Sequence, residues 1–156
     1  MNRLNDKHFD KITVMVSSIC LLLFFALNIF WLTYREFRYA PFVENIPKSY
    51  GLRIVSIGNY SYSVTKPKYM KFNGNLSITN EVTDEGLIVW PMFPSGYRFA
   101  VILNDVDNSK SFLIYINNNG DFLASADGSK ETENIFNQKR EDVMELITLA
   151  NEMWDL

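Results

Sequence analysis

The hydrophobic pattern divides the chain into one long apolar segment and a remainder in which polar and apolar positions alternate. Residues 12–33 read ITVMVSSICLLLFFALNIFWLT and contain no charged residue. As a helix, this segment is about 33 Å long at ~1.5 Å per residue, which matches a hydrocarbon core of about 30 Å. We therefore predict a single transmembrane helix over residues 12–33, preceded by a short tail over residues 1–11.

Two other interpretations of this segment fit less well. The apolar region of a cleaved signal peptide is typically about 7–15 residues long and is followed by small residues. Here the run is longer, and Phe30, Trp31 and Leu32 stand where small residues would be expected. A buried core helix rarely runs this far without a charge. The pattern therefore favours an uncleaved signal anchor.

Aromatic and basic residues interleave at the end of the apolar segment. They are Trp31, Tyr34, Arg35, Phe37 and Arg38. Such a mixture is typical of the membrane interface, where rings lie at headgroup level and guanidinium groups extend outward. The short N-terminal tail carries Arg3, Lys7 and Lys11, which favours a cytoplasmic N-terminus. We expect a single-pass protein of the bacterial inner membrane whose soluble domain faces the periplasm or another extracytoplasmic space.

The hydrophobic pattern changes again after the membrane segment. Residues 34–50 contain Pro41 and Pro47 and are predicted to form a juxtamembrane linker. Residues 51–156 then form one soluble domain, in which short apolar runs are separated by turn residues, as in β-sheets. The predicted strands cover residues 52–57, 60–65, 69–72, 75–79, 87–90, 97–103, 111–117 and 121–125.

Two features of this pattern suggest how the strands connect. Asn73-Gly74 is a strong hairpin dipeptide and predicts a tight turn between residues 69–72 and 75–79. The last three strands have short connections and predict an antiparallel meander.

The C-terminal segment changes to a helical period. Apolar residues recur at steps of three and four, namely Phe136, Val143, Leu146, Ile147, Ala150 and Trp154. This spacing predicts an amphipathic helix over about residues 133–154 that packs on the sheet. The predicted fold class is therefore α+β: one transmembrane helix, then a small and mostly antiparallel β-sheet covered by a C-terminal amphipathic helix.

The composition of the soluble domain restricts its chemistry. The single histidine, His8, lies in the tail, and the single cysteine, Cys20, lies in the apolar segment. The domain therefore has no residues for a Ser-His-Asp triad, a cysteine nucleophile, a histidine-ligated metal or a disulfide. The net charge of −3 also lacks the basic excess of a nucleic-acid-binding protein. We predict a protein that is not an enzyme and that carries no cofactor.

Acidic residues in predicted turns offer only weak candidates for a metal site. Asp105 and Asp107 have the alternate spacing of a calcium loop, but Lys110 stands where the EF-hand glycine would be. Asp84, Glu85 and Asp121 also lie in predicted turns, where carboxylates usually shape the backbone and remain solvated. We predict no bound metal.

Aromatic residues provide the candidates for a partner-binding surface. Trp90, Met92, Phe93 and Tyr97 lie in and around a proline-rich turn, and Tyr60 and Tyr62 form a second aromatic stripe. Large side chains in loops commonly anchor protein interfaces. Packing into the core is the alternative for both groups, and contact with the membrane surface is a further alternative for the tyrosines.

These observations lead to three functional hypotheses. The first is a membrane-anchored extracytoplasmic protein-binding domain, such as an inhibitor or a toxin-immunity protein of the bacterial envelope. The second is a structural or assembly subunit of a secretion or division complex, in which the membrane helix itself makes contacts. The third is a histidine-free hydrolase at the wall or membrane. The expected partners are the lipid bilayer and another protein, and nucleic acid is not expected.

Overall fold

The computed structural model describes residues 3–49, 52–105 and 109–156. The chain divides into two compact units, Met1–Phe37 and Arg38–Leu156. Helix α1 (Arg3–Glu44) supplies the first unit and the first residues of the second. Within α1, residues Lys11–Glu44 include a window with a mean hydropathy of 2.4, and this is long and apolar enough to cross a membrane.

The second unit contains an antiparallel sheet in which every strand pairs with its neighbours in sequence. The strands are β1 (Lys48–Ser49), β2 (Leu52–Ile57), β3 (Tyr60–Thr65), β4 (Asn75–Asn80), β5 (Gly86–Pro91), β6 (Tyr97–Asp105), β7 (Lys110–Ile116) and β8 (Phe122–Ser125). Strands β2 to β8 form an open meander, and the two-residue β1 pairs with the start of β2. Helices α2 (Lys130–Gln138) and α3 (Arg140–Trp154) follow. The predicted α+β class is confirmed.

Alternation along the strands gives the sheet two different faces. The inner face packs against α2 and α3 and forms the core of the domain. Its buried residues include Leu76, Ile78, Leu87, Val89, Val101, Leu103 and Ile114. The helices contribute residues such as Phe136, which is fully buried and meets Phe122 edge to face at 5.5 Å between ring centroids. The opposite, outer face is therefore the one that the C-terminal helices do not cover.

The predicted strand over residues 69–72 and its hairpin turn are wrong. Residues 66–74, all of which the structure describes, contain no strand and form a longer connection between β3 and β4. Gly74 serves close packing in place of a tight turn, because a Cβ atom there would lie 2.1 Å from the carbonyl oxygen of Thr65 and 2.9 Å from the Tyr39 ring. The dipeptide alone could not distinguish these two uses of glycine.

The predicted linker over residues 34–50 is largely helical, because α1 continues through Pro41 to Glu44. Tyr39, Phe42 and Ile46 are buried in the core of the second unit. Tyr39 and Phe42 are three residues apart in α1 and therefore lie on the same, buried side of the helix, and Ile46 follows just after its end. The Tyr39 hydroxyl accepts a hydrogen bond of 2.6 Å from the backbone N–H of Gly74.

The predicted C-terminal helix is divided in two at Lys139, which adopts a non-helical φ of −104° and ψ of 21°. The first part begins earlier than predicted, because the Ser129 side chain caps it by accepting from the Thr132 N–H. Asp127 accepts hydrogen bonds from the Ser129 backbone, the Ser129 hydroxyl and the Thr132 hydroxyl. These bonds hold the pKa of Asp127 well below its usual range, so the carboxylate stays charged where the helix begins.

Candidate binding face

The outer face of the sheet carries an apolar strip across β5, β6 and β7. The strip consists of Ile88, Trp90, Ala100, Ile102, Leu113 and Tyr115. Cross-strand register places Ile88 beside Ala100, Ala100 beside Tyr115, and Ile102 beside Leu113. Ala100 is buried, whereas the larger members are partly exposed. The strip is therefore a continuous apolar surface supported by three adjacent strands.

Hydroxyl groups border the apolar strip on the neighbouring strands. On β3 and β4, the outward positions hold Ser61, Ser63, Thr65, Ser77 and Thr79. Ser63 and Ser77 share a hydrogen bond of 2.7 Å across the strands. The outer face thus combines an apolar region with a polar border, as protein interfaces commonly do.

A cationic pocket of about 410 Å³ lies at one end of the strip. Trp90 and Tyr115 of the strip line it together with Met92. Its basic lining residues are Lys66, Lys68, Lys71 and Arg98. None of the described residues that line the pocket is acidic, so the local charge of this lining is opposite to the net charge of −3 of the whole chain.

The residues predicted around the proline-rich turn occupy different environments. Trp90 and Met92 line the cationic pocket. Phe93 is 47% exposed, and its ring lies 5.1 Å from that of Phe72. Tyr97 is half-buried, and its ring meets Phe42 edge to face at 6.3 Å. These four side chains are close together in the sequence. In the fold, Trp90 and Met92 lie on the outer face, Phe93 lies on a loop surface, and Tyr97 packs against the core.

Tyr60 and Tyr62 lie between the sheet and α3, which corresponds to the packing alternative for this stripe. Tyr62 is buried, its ring meets Trp154 edge to face at 6.1 Å, and burial raises the pKa of Tyr62. The Tyr60 hydroxyl donates a hydrogen bond of 2.7 Å to Glu145 Oε1. This bond favours the neutral phenol and raises the pKa of Tyr60 to about 12. Both tyrosines therefore join the sheet to the helix.

A buried ion pair connects the β4–β5 turn to the junction between α2 and α3. Glu85 is 4% exposed, and its Oε1 accepts from Lys139 Nζ and, at 3.1 Å, from the Asn104 backbone N–H. We expected Glu85 to be a solvated turn residue, and its burial was missed because the lysine is distant in sequence. The ammonium and amide donors already engage this carboxylate, so the arrangement holds two chain segments together.

Among the other turn acids, Asp121 is engaged in local structure. Asp121 accepts a hydrogen bond of 2.8 Å from Arg140 and one of 3.1 Å from Asn117. The Arg140 bond is the main cause that holds the pKa of Asp121 below its ordinary value. Asp105 ends β6, and Asp107 lies outside the described residues. In the described ranges, no group of three or more histidine, cysteine or acidic side chains could hold a metal ion.

The predicted membrane-interface residues lie along α1. In the first unit, the Arg35 guanidinium lies 5.5 Å from the centre of the Trp31 ring, Tyr34 is partly exposed, and Phe37 is 78% exposed. Arg38 belongs to the second unit, where its Nη2 donates to the Gly96 carbonyl at 3.1 Å. The Arg38 guanidinium also lies over the Tyr97 ring at 5.1 Å.

Comparisons with known proteins give this chain no relative. No family model matches the chain, and neither a curated protein nor a solved structure matches it. The functional conclusion therefore depends on the geometry of the described residues.

Proposed function

We propose that this chain is a membrane-anchored binding domain that contacts another protein through the outer face of its sheet. The observation that carries the proposal is the partly exposed apolar strip, centred on Ala100, on the face opposite α2 and α3. A contiguous apolar surface bordered by polar residues is typical of an interaction site. Trp90 and Tyr115 are also of the residue types that contribute most strongly to protein interfaces.

The strip has the rigidity that a binding surface needs. Its residues lie on the central strands β5, β6 and β7, which pair along most of their lengths. On the inner side, the same strands are fixed by buried residues such as Leu87, Val101 and Ile114. A partner would thus meet side chains that are already held in place, and binding would cost little conformational entropy.

The apolar part of α1 gives this binding domain its location. A helix of this length and composition suits a single membrane crossing, and the basic tail favours a cytoplasmic N-terminus. We propose that the domain works on the extracytoplasmic side of a bacterial inner membrane. An inhibitor or immunity protein that holds its target at the membrane surface is one specific form of this function.

Site-specific photo-crosslinking in intact cells tests the binding face. A photoreactive residue replaces Leu113 or Ile102 on the outer face, and the matched control replaces Met144, which is 39% exposed on α3. We expect one discrete protein adduct from the two outer-face positions and none from position 144. Trp90→Ala should strongly reduce the adduct, because loss of an interface tryptophan commonly costs about 2 kcal/mol or more, or roughly thirtyfold in affinity.

Two outcomes would count against this proposal. An adduct at position 144 with none at 102 or 113 would place the contact on the helical side. Loss of the adduct when residues 12–33 are exchanged for an unrelated membrane span would favour an assembly subunit whose helix makes the contact. Retention of the adduct after the same exchange is the result that we expect.

A further inference from the structure

Two neighbouring loops at one end of the sheet expose large apolar side chains. The β3–β4 loop, residues 66–74, carries Tyr69 at 58% exposure and Met70 at 41%. The β5–β6 loop, residues 92–96, carries Phe93 at 47%. Phe72 and Phe93 contact each other across the two loops, with 5.1 Å between ring centroids. The loops therefore form one surface, which we call the loop tip.

The loop tip is basic as well as apolar. Lys66, Lys68 and Lys71 lie beside Tyr69 and Phe72 in the sequence, and no acidic residue occurs in residues 66–80. The three lysines also line the cationic pocket with Arg98. Apolar rings interleaved with lysines are the composition that proteins use at the interface of an anionic membrane.

The loop tip is also tied to the residues that follow the membrane segment. Tyr39 accepts a hydrogen bond from the Gly74 backbone at 2.6 Å, and Arg38 donates to the Gly96 carbonyl at 3.1 Å. Tyr39 lies six positions after Thr33, where the apolar segment ends, so the chain allows a distance of at most about 21 Å between them. A headgroup layer of about 5–8 Å lies within that reach.

We infer that the loop tip is a second membrane contact, which binds the surface of an anionic phospholipid bilayer. The exposed rings and Met70 enter the interface, while the lysines meet lipid phosphate groups at the mouth of the cationic pocket. This inference rests on the membrane anchoring in the proposed function. It adds that the domain is held against the bilayer by its own residues as well as by its covalent connection to the membrane helix.

An acidic protein segment could also be attracted by the lysines. The loop tip fits a bilayer better, because its apolar residues lie at exposed loop positions and not in a groove that would hold an extended peptide. The short connection to the membrane segment adds to this preference. A protein partner at the loop tip is therefore an alternative outcome of the following experiment.

Spin-label accessibility in the reconstituted full chain tests this inference. In a Cys20→Ser background, a label is attached at Phe93→Cys or Met70→Cys. The control label is at Val82→Cys, since Val82 is 75% exposed in the turn at the opposite end of the sheet. The vesicles contain phosphatidylcholine with or without phosphatidylglycerol. We expect labels at 93 and 70 to be shielded from a water-soluble relaxation agent in the anionic vesicles, while the label at 82 remains accessible.

The lysines and the native cysteine provide the decisive comparisons. Replacing Lys66, Lys68 and Lys71 by glutamine should reduce shielding at 93, by about fivefold in the contact equilibrium for each lysine removed. Equal accessibility of the labels at 93 and 82 in anionic vesicles would overturn the inference. Shielding of the label at 93 that appears only after a protein is added would overturn it as well. Shielding at 93 that changes neither when phosphatidylglycerol is omitted nor when the lysines are replaced would also contradict it. A label on native Cys20 reports membrane insertion separately, so failure of the anchor is recognised independently.

Discussion

Gly74→Ala is expected to lower the free energy of unfolding by about 3 kcal/mol or more, because added volume in a well-packed site forces the backbone to move. The new methyl group would lie 2.1 Å from the Thr65 carbonyl oxygen and 2.9 Å from the Tyr39 ring. The first contact is with backbone, so no side-chain rotation can relieve it. Separation of the two segments would also weaken the hydrogen bond from the Gly74 N–H to the Tyr39 hydroxyl.

Urea denaturation of the full chain in detergent micelles, followed by near-ultraviolet circular dichroism, measures this effect. Gly58→Ala is the matched control, because Gly58 has a φ of +62° but open space around its Cβ position. The free energy of unfolding of the control should fall by only about 1–2 kcal/mol, which is the cost of placing an alanine in the left-handed region. Similar losses at the two positions would show that the 66–74 loop does not pack closely against Thr65 and Tyr39.

Glu85→Ala is expected to cost about 3 kcal/mol, because it leaves the Lys139 ammonium beside a buried site without its carboxylate. Glu85 is 4% exposed, whereas the Lys139 side chain is 27% exposed. Water can therefore reach the lysine in part, and we expect the lower end of the range for a broken buried pair. The Asn104 N–H would lose its acceptor as well.

The same denaturation measurement on a double variant distinguishes the effect of the two charges from the effect of the side-chain volume. Replacing Glu85 and Lys139 together by leucine and methionine should recover most of the lost stability, because no unpaired charge then remains. The exposed Glu141→Ala on α3 is the control and should change stability little. A loss in Glu85→Ala no greater than that in Glu141→Ala would mean that the pair does not hold the β4–β5 turn to the helices.

Strands β2 to β8 were predictable from the sequence because each has its own local pattern, whereas the two-residue β1 lies in the predicted linker. The strand predicted over residues 52–57 coincides with β2, and the alternating residues 60–65 coincide with β3. The connection between β3 and β4 was not predictable, since the need for glycine at position 74 comes from Thr65 and Tyr39. The burial of Tyr39 likewise depends on a sheet that forms later in the chain.

The candidate site was predictable only in part. Trp90 and Met92 were candidates for a partner-binding surface from the sequence, and both line the cationic pocket. Arg98 and Tyr115 were missed, because they join Trp90 only when β5, β6 and β7 pair. The loop lysines are close together in the sequence, but only the fold shows that they line the same pocket.

The membrane anchor is the central claim, and carbonate extraction of membranes from cells that express the full chain tests it most directly. Alkaline carbonate removes proteins that are bound only at the surface, whereas a helix that spans the hydrocarbon core remains. We predict that the chain stays in the membrane pellet and is released only by detergent. Recovery of the full-length chain in the carbonate supernatant would contradict the anchor, and with it the location and the lipid contact proposed for the domain.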